Sequence, residues 1–220
     1  MIDQKILHPT TSDRVQEIRR LESKVKGTTA FLIVGLLALF FFGVSSGSGQ
    51  IADKLDGYNV LLITIDTLRA DRLGVYGYDG VQTPNIDRLA VEGIRFEQVT
   101  TTVPATLPAH ASIMTGLQPF EHGVRSNGAF VLRDDVKTLA EQFVAAGYVT
   151  GAFIGTVVLD AQFGIAQGFE KFDGLAPYQR VTEDMSGERP GESVVEEASM
   201  WIRSQSTPFF AWVHMYDPHD

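Results

Sequence analysis

The stretch NVLLITIDTLRAD, residues 59–71, joins an almost wholly apolar run to a cluster of polar and charged residues that begins at Asp66. Short runs rich in β-branched and large aliphatic residues are typical of strands buried on both faces of a parallel sheet. A carboxylate at the carboxyl end of such a strand lies where open α/β sheets place their ligand sites. An aspartate that ends a strand is also a common turn former, so a functional role for Asp66 depends on partners elsewhere in the chain.

Strand-like and helix-like segments alternate from Tyr58 onward, which predicts an α/β fold, an α/β/α sandwich with a mostly parallel central sheet. The predicted strands are residues 59–65, 95–100, 148–154 and 209–214. The predicted helices contain residues 84–92, 106–114, 136–146 and 194–202. The last strand runs into a polar cluster at His214–Asp220, so we expect the sheet to be incomplete at the C-terminus and residues 58–220 to be the N-terminal part of a longer domain.

A different organisation precedes this domain. Residues 28–44, TTAFLIVGLLALFFFGV, contain no charge, and as a helix they would span roughly 25 Å, the lower limit for crossing a membrane. A basic flank (residues 1–27) precedes this segment and a linker (residues 45–57) follows it. By the positive-inside rule, the segment is predicted to be a single signal-anchor helix with the N-terminus in the cytoplasm and the α/β domain extracytoplasmic. The alternative is a cleaved signal peptide, which usually has a shorter apolar core and a shorter basic region.

Composition excludes several classes of function. The chain has 220 residues, of which 44% are hydrophobic, no cysteine and a net charge of -9. The absence of cysteine excludes disulfides, thiolate metal ligands and a cysteine nucleophile. The acidic balance argues against nucleic acid as a partner. The sequence does not fix the oligomeric state.

A second motif, VPATLPAHASIMTG at residues 103–116, places Thr106 just before Pro108, which suits the first turn of a helix. A hydroxyl at a helix N-terminus lies among unpaired backbone N–H groups, in a positive potential that can bind an anionic ester and stabilise an alkoxide. Thr106 is therefore a candidate nucleophile. The alternative is that it only caps the helix.

The motifs together resemble the sulfatase branch of the alkaline phosphatase superfamily over essentially the whole span Asn59–Asp220. The resemblance rests on six blocks in order: NVLLITIDTLRADRLGVYGY, TPNIDRLAVEGIRFEQVT, TLPAHASIMTGLQPFEHGVRSNG, LAEQFVAAGYVTGAF, QGFEKFD and FFAWVHMYDPHD. It implies a metal-dependent ester hydrolase or group transferase. It also implies that Asp66 binds a divalent cation and that Thr106 is the nucleophile and shares this cation.

The nucleophile motif departs from the sulfatase pattern. Sulfatases carry Cys or Ser at the position of Thr106, matured to formylglycine, within C/S-x-P-x-R, whereas this chain reads T-L-P-A-H at residues 106–110. Threonine carries a methyl group on Cβ and cannot become that aldehyde hydrate, so Thr106 looks like the unmodified nucleophile of the phosphodiesterase-like members. His110, in place of the family's arginine, lacks a permanent cation. It is a candidate for orienting the nucleophile or contacting the metal.

Three further residues complete the predicted site. Asn127 matches an asparagine with which phosphodiester and phosphonate hydrolases of the family hold the substrate anion, although an asparagine in S-N-G is also a common turn residue. Thr156 stands where many sulfatases have a lysine that grips the sulfate, so we take it as a candidate substrate-binding residue with less charge to offer. His219 matches a histidine directed at the substrate oxyanion or leaving group.

These residues predict a metal-dependent hydrolase or transferase of anionic phosphoesters or phosphodiesters, with oxygen ligands that suit Mn, Mg or Ca, and Zn if histidines join. Two alternatives stay open: a true sulfuric ester hydrolase, and a catalytically inactive binding module that has lost the family's cationic donors. In the family the remaining metal ligands lie beyond the position of Asp220. We therefore expect the 220-residue chain alone to bind metal weakly and to be inactive.

Overall fold

The computed structural model describes residues 57–175 and 187–219. Its strands are β1 (Val60–Ile65), β2 (Val149–Ile154), β3 (Lys171–Asp173) and β4 (Phe209–Met215). Its α-helices are α1 (Pro84–Glu92), α2 (Thr106–Thr115), α3 (Pro119–His122), α4 (Leu139–Ala145) and α5 (Gly191–Ser204). The predicted basic flank, membrane anchor and nearly all of the linker lie outside the described residues. Within the described ranges, no helix has the length and apolarity needed to cross a membrane.

The four strands form one sheet in the order β1-β4-β2-β3, and every pairing is parallel. The prediction of a mostly parallel α/β sheet is confirmed. Since β4 lies between β1 and β2, the carboxyl ends of β1 and β4 are neighbours. The backbone N–H of Asp66 donates to the carbonyl of Met215 at 2.9 Å, so the residues that follow both strands begin side by side.

Helices cover both faces of the sheet, as a sandwich requires. On one face, Leu107 and Met114 of α2 belong to a buried cluster with Phe210 and Trp212 of β4. On the opposite face, α5 packs on β2 and β4 through a smaller cluster. This alternation of β4 side chains between two buried faces follows from the two-residue period of a strand.

The prediction that β1 is buried on both faces is wrong for one face of the described structure. Leu61 and Ile63 are 49% and 48% exposed. They share the face on which α5 covers β2 and β4. The helix does not bury these two side chains, whereas Val60 and Leu62 on the other face pack against the larger core cluster.

The strand predicted at residues 95–100 is not formed in the structure. The exposed fractions of Ile94, Phe96 and Val99 are 85%, 66% and 79%. The apolar pattern favoured a strand, but a strand also needs a hydrogen-bonded neighbour. The described residues supply none for this segment, because the only strand paired with β1 is β4.

Candidate active site

The central contact of the candidate site joins the two residues that the sequence singled out. Thr106, the first residue of α2, donates a hydrogen bond from Oγ1 to Asp66 Oδ2 at 2.9 Å. Both side chains are largely buried, with Thr106 only 8% exposed and the Asp66 side chain 12% exposed. A carboxylate at this distance from a hydroxyl is within reach to accept its proton.

The Asp66 carboxylate is held in place by the loop that follows β1. The backbone N–H of Thr67 donates to Asp66 Oδ1 at 2.9 Å. Thr67 has a φ of +52°, which is uncommon for a β-branched residue and marks a constrained turn. Its hydroxyl donates to the carbonyl of Pro218 at 3.1 Å, so it also ties the loop after β4 to the loop after β1.

Asn127 lies at the N-terminus of α2. Its Oδ1 accepts a hydrogen bond from the backbone N–H of Leu107 at 2.9 Å, which satisfies one of the donors that a helix start leaves unpaired. Because an N–H group can only donate, this contact identifies the carbonyl side of the amide. The amide nitrogen of Asn127 is then free to present its two N–H donors to an anion in the cavity that the residue lines.

We predict that Asn127→Asp lowers turnover of an anionic ester by about 10²- to 10³-fold with little change in the free energy of unfolding. An aspartate oxygen can still accept the Leu107 N–H, but the variant loses the N–H donors and adds a negative charge beside the substrate. Steady-state kinetics and chemical denaturation would measure the two quantities. Unchanged turnover in Asn127→Asp would contradict a role in anion binding.

Five of the six predicted site residues line one cavity of about 590 Å³. They are Asp66, Thr106, His110, Asn127 and His219. The described residues that line this cavity include no lysine or arginine, and Asp66 is their only carboxylate. The described lining of the cavity can therefore donate hydrogen bonds to an anion, but it contributes no permanent positive charge.

His219 and Thr156 both contact the side chain of Tyr216. The His219 ring stacks on the Tyr216 ring with centroids 4.4 Å apart, and its backbone N–H donates to the Tyr216 carbonyl at 2.9 Å. Burial and the nearby Asp66 carboxylate raise the pKa of Tyr216, and a hydrogen bond with Thr156 acts in the opposite direction. Thr156 is itself buried and is not among the residues that line the cavity. Its predicted contact with the substrate stays a prediction, and in the structure its side chain hydrogen-bonds with that of Tyr216.

Two buried histidines lie close to the Thr106–Asp66 pair. His110 contacts the Thr106 carbonyl through Nδ1 at 2.7 Å, and its ring lies 4.8 Å from the His214 ring. Burial lowers the pKa of His110. Burial and the neighbouring His110 lower the pKa of His214 to about 3. Both rings are therefore neutral near pH 7.

The Asp66 and Thr106 oxygens fit part of a cation site. Among the described residues, no group of three or more His, Cys, Asp or Glu side chains is placed to hold a metal ion. The two oxygens are 2.9 Å apart, and adjacent ligands at roughly 2.1 Å from an octahedral Mg²⁺ lie about 3 Å from each other. Asp66 Oδ2 and Thr106 Oγ1 would thus occupy two neighbouring positions around a hard cation, with other groups completing its coordination.

Comparison with known proteins places the chain in a family. The family model "Sulfatase" matches residues 58–220. The chain is 40% identical over 92 residues to an arylsulfatase of Clostridium perfringens, an alignment covering 42% of this chain and 19% of that protein. It is 29% identical over 182 residues to an ulvan-active sulfatase of Formosa agariphila, covering 73% of this chain and 35% of that protein. The chain spans about a fifth to a third of the length of these relatives.

Solved structures show the same fold. The phosphonate monoester hydrolase of Agrobacterium radiobacter superposes with a TM-score of 0.61 at 25% identity, over 74% of this chain and 41% of that chain. A protein solved in complex with its substrate D-glucosamine-2-N,6-O-disulfate superposes with a TM-score of 0.64 at 23% identity, over 74% and 35% of the two chains. The chain belongs to the sulfatase family, whose members are ester hydrolases that typically use a metal ion. The resemblance stated from the six sequence blocks is confirmed.

Sequence reasoning assigned no role to two residues that lie beside Asp66, Thr67 and His214. The signal for Thr67 was its position directly after the strand-ending Asp66, but its positive φ is not readable from residue type. His214 received no role because its importance comes from the pairing of β4 with β1, which sets it opposite Thr64. That register is a long-range property of the sheet.

Proposed function

We propose that this protein is a membrane-anchored, extracytoplasmic hydrolase or transferase that cleaves phosphodiesters, with Thr106 as its nucleophile. The hydrogen bond of 2.9 Å from Thr106 Oγ1 to Asp66 Oδ2 carries the proposal. It pairs a hydroxyl at the N-terminus of a helix with a proton acceptor inside a cavity large enough for a small ester. Membership of a family of ester hydrolases supports the reaction class.

In the proposed first step, Thr106 Oγ1 attacks phosphorus and its proton passes to Asp66. The bond from phosphorus to the leaving oxygen breaks, and that oxygen takes up a proton from His219 or from water. In the second step, water or an acceptor alcohol attacks the phosphoryl group and gives up its proton to His219 or to solvent. The bond between phosphorus and Oγ1 breaks, and Oγ1 takes back the proton held by Asp66. A divalent cation held by Asp66 and Thr106 would supply a lowered hydroxyl pKa and a polarised substrate oxygen.

The charge of the cavity favours a substrate with one negative charge. A phosphate monoester carries up to two charges near pH 7, and the described lining of the cavity offers no lysine or arginine to balance them. A phosphodiester or a phosphonate monoester carries one charge, which the Asn127 amide and a single cation can accommodate. The structural similarity to a phosphonate monoester hydrolase at 25% identity is consistent with this choice.

A sulfuric ester also carries one negative charge, and several relatives are named sulfatases. Thr106 argues against a sulfuric ester as the substrate, because threonine cannot be converted to the aldehyde hydrate that the sulfate-cleaving members use. The assay uses the intact protein, as opposed to residues 1–220 alone. We predict that, with added Mn²⁺, it turns over a bis-aryl phosphate at least about 10²-fold faster, in kcat/KM, than the matching aryl sulfate. The aryl phosphate monoester serves as the control for charge, and we expect it to be the poorer phosphate substrate.

Each alternative gives a different result in this comparison. Faster turnover of the aryl sulfate, dependent on Thr106, would identify a sulfuric ester hydrolase. Absence of turnover with all three esters, in protein that is folded and loaded with Mn²⁺, would identify an inactive binding module. Either result would contradict the proposed function.

The proposed location rests on the uncharged segment at residues 28–44 and the basic residues before it. An anchor of this orientation would hold the α/β domain outside the cytoplasm, where it would meet extracellular or envelope esters. Protease treatment of intact cells or spheroplasts would test the orientation. Protection of the α/β domain in intact spheroplasts would contradict it.

A further inference from the structure

A chain of buried polar contacts runs from the core of the sheet towards Asp66. Trp212 Nε1 donates to Thr64 Oγ1 at 3.0 Å, and Thr64 Oγ1 lies 2.8 Å from His214 Nδ1. Thr64 and His214 face each other across the parallel pair of β1 and β4, and Trp212 lies two residues before His214 on the same face. The proposed function assigns no role to these three residues.

The chain of contacts favours one tautomer of His214. A tryptophan N–H can only donate, so Thr64 Oγ1 accepts from Trp212. The Thr64 oxygen has a second lone pair as well as its own proton, so His214 Nδ1 can either donate to this oxygen or accept from it. The arrangement in which Thr64 donates gives the hydroxyl proton an acceptor and places the proton of the neutral ring on Nε2.

In this tautomer, the protonated Nε2 atom of His214 lies near Asp66. It lies 4.0 Å from Asp66 Oδ2, is completely buried, and has no hydrogen-bond partner within the described residues. Burying an N–H group without a hydrogen-bond partner costs free energy. A shift that brings this N–H into contact with the nearby carboxylate oxygen is therefore favourable. The separation exceeds a hydrogen bond by about 1 Å, and such contacts in unliganded sites often tighten when the site is loaded.

We propose that His214 is a positioning residue that orients the Asp66 carboxylate by directing its Nε2–H at Oδ2, with Thr64 and Trp212 holding the ring in the tautomer this requires. Both oxygens of the Asp66 carboxylate would then accept a hydrogen bond from a neighbouring group, Oδ1 from the Thr67 N–H and Oδ2 from His214. Removing a group that holds a metal ligand in place typically lowers metal affinity by about 10- to 100-fold. The metal-affinity consequence rests on the proposed function, whereas the tautomer does not.

A competing acceptor lies close by. His110 donates from Nδ1 to the Thr106 carbonyl, because a carbonyl can only accept, and this leaves a lone pair on His110 Nε2. That atom is also buried without a partner among the described residues. If His214 donated to His110 instead of Asp66, the two rings would be hydrogen-bonded to each other and His214 would not orient the Asp66 carboxylate.

Nuclear magnetic resonance of the intact protein used in the turnover assays, labelled with ¹⁵N in its histidine rings, separates these arrangements. The pattern of ring ¹H–¹⁵N correlations distinguishes the Nε2–H tautomer from the Nδ1–H tautomer and from the imidazolium. The spectrum of His214→Gln assigns the His214 signals by their loss. We expect the Nε2–H tautomer in the wild-type protein, a changed Nε2–H signal in Asp66→Asn, and a mixture of tautomers in Thr64→Val.

The same preparations are titrated with Mn²⁺ and followed by electron paramagnetic resonance. We expect His214→Leu to weaken Mn²⁺ binding by about 10- to 100-fold. His214→Gln retains an N–H donor near the position of Nε2 and should restore most of the affinity. This rescue would not be seen if the ring served only to fill space, since leucine and glutamine fill similar volumes.

An Nδ1–H tautomer, an imidazolium, or an Nε2–H signal that responds to His110→Asn but not to Asp66→Asn would overturn the proposal. So would equal Mn²⁺ affinity in the wild type and His214→Leu. If the wild-type protein binds no Mn²⁺, the proposed function fails and the tautomer and Asp66→Asn spectra decide the positioning role alone.

Discussion

Replacing Thr106 with valine is expected to lower phosphodiester turnover by the intact protein by at least about 10⁴-fold, with the fold unchanged. Valine has the shape of threonine and lacks only the hydroxyl, which is both the attacking group and the donor to Asp66 at 2.9 Å. The measurement is the initial rate with a bis-aryl phosphate and Mn²⁺, together with a circular dichroism spectrum. Thr106→Ser keeps a hydroxyl and should retain measurable turnover.

Thr115→Val provides the matched control. Thr115 closes the same helix, and its hydroxyl donates to the Ala111 carbonyl at 2.7 Å, remote from the Asp66 carboxylate. We expect this variant to keep the wild-type rate within about threefold, since it removes two local contacts of a helix end, the bond to the Ala111 carbonyl and the acceptor of the Leu117 N–H. Equal losses in Thr106→Val and Thr115→Val would mean that the hydroxyl of Thr106 has no role of its own.

Replacing Asp66 with asparagine is expected to lower turnover by at least about 10³-fold and to weaken Mn²⁺ binding at the same time. The amide has nearly the shape of the carboxylate, but it carries no charge to attract a cation and is a far weaker proton acceptor for Thr106. One oxygen can still accept the Thr67 N–H, so the loop after β1 should hold its conformation. Kinetics and electron paramagnetic resonance of bound Mn²⁺ would measure both losses.

Asp71→Asn is the control for the change of charge. Asp71 lies five residues further along the same loop region, is 61% exposed and forms an ion pair with the exposed Arg69. Removing its charge leaves Asp66 and Thr106 untouched, and exposed ion pairs contribute little to stability. Wild-type rates in Asp66→Asn would exclude Asp66 from both metal binding and proton transfer.

The elements that were predictable from sequence are those with local signals. The apolar run ending in Asp66 predicted β1, and Pro108 in the first turn predicted the start of α2. The start of α4 was misplaced: the apolar spacing begins at Val136, but Thr138 and Glu141 form a capping box that starts the helix at Leu139. The capping pair was present in the sequence and determines the boundary more strongly than the period does.

The errors concern contacts between distant segments. Residues 95–100 have the pattern of a strand, yet the described chain gives them no neighbouring strand. The half exposure of Leu61 and Ile63 depends on how far α5 extends across the sheet, which no local pattern encodes. Helix and strand periods specify which side of an element is apolar, and leave open what covers that side.

The candidate site divides in the same way. Asp66 and Thr106 were paired from sequence because their motifs resemble those of a family, and the structure places them in hydrogen-bond contact. Their chemical roles stay predictions. His214 lies within the block FFAWVHMYDPHD, but the resemblance assigned it no role, and its position near Asp66 follows from the register that sets Thr64 beside it.

The central claim, that Thr106 is a covalent nucleophile, is tested most directly by rapid acid quenching during phosphodiester turnover, followed by mass spectrometry of the peptides. The account predicts a phosphoryl adduct on Thr106 that is absent from the Thr106→Val protein and from protein quenched without substrate. Turnover at the wild-type rate with no adduct on Thr106, or with the adduct on another residue, would contradict it.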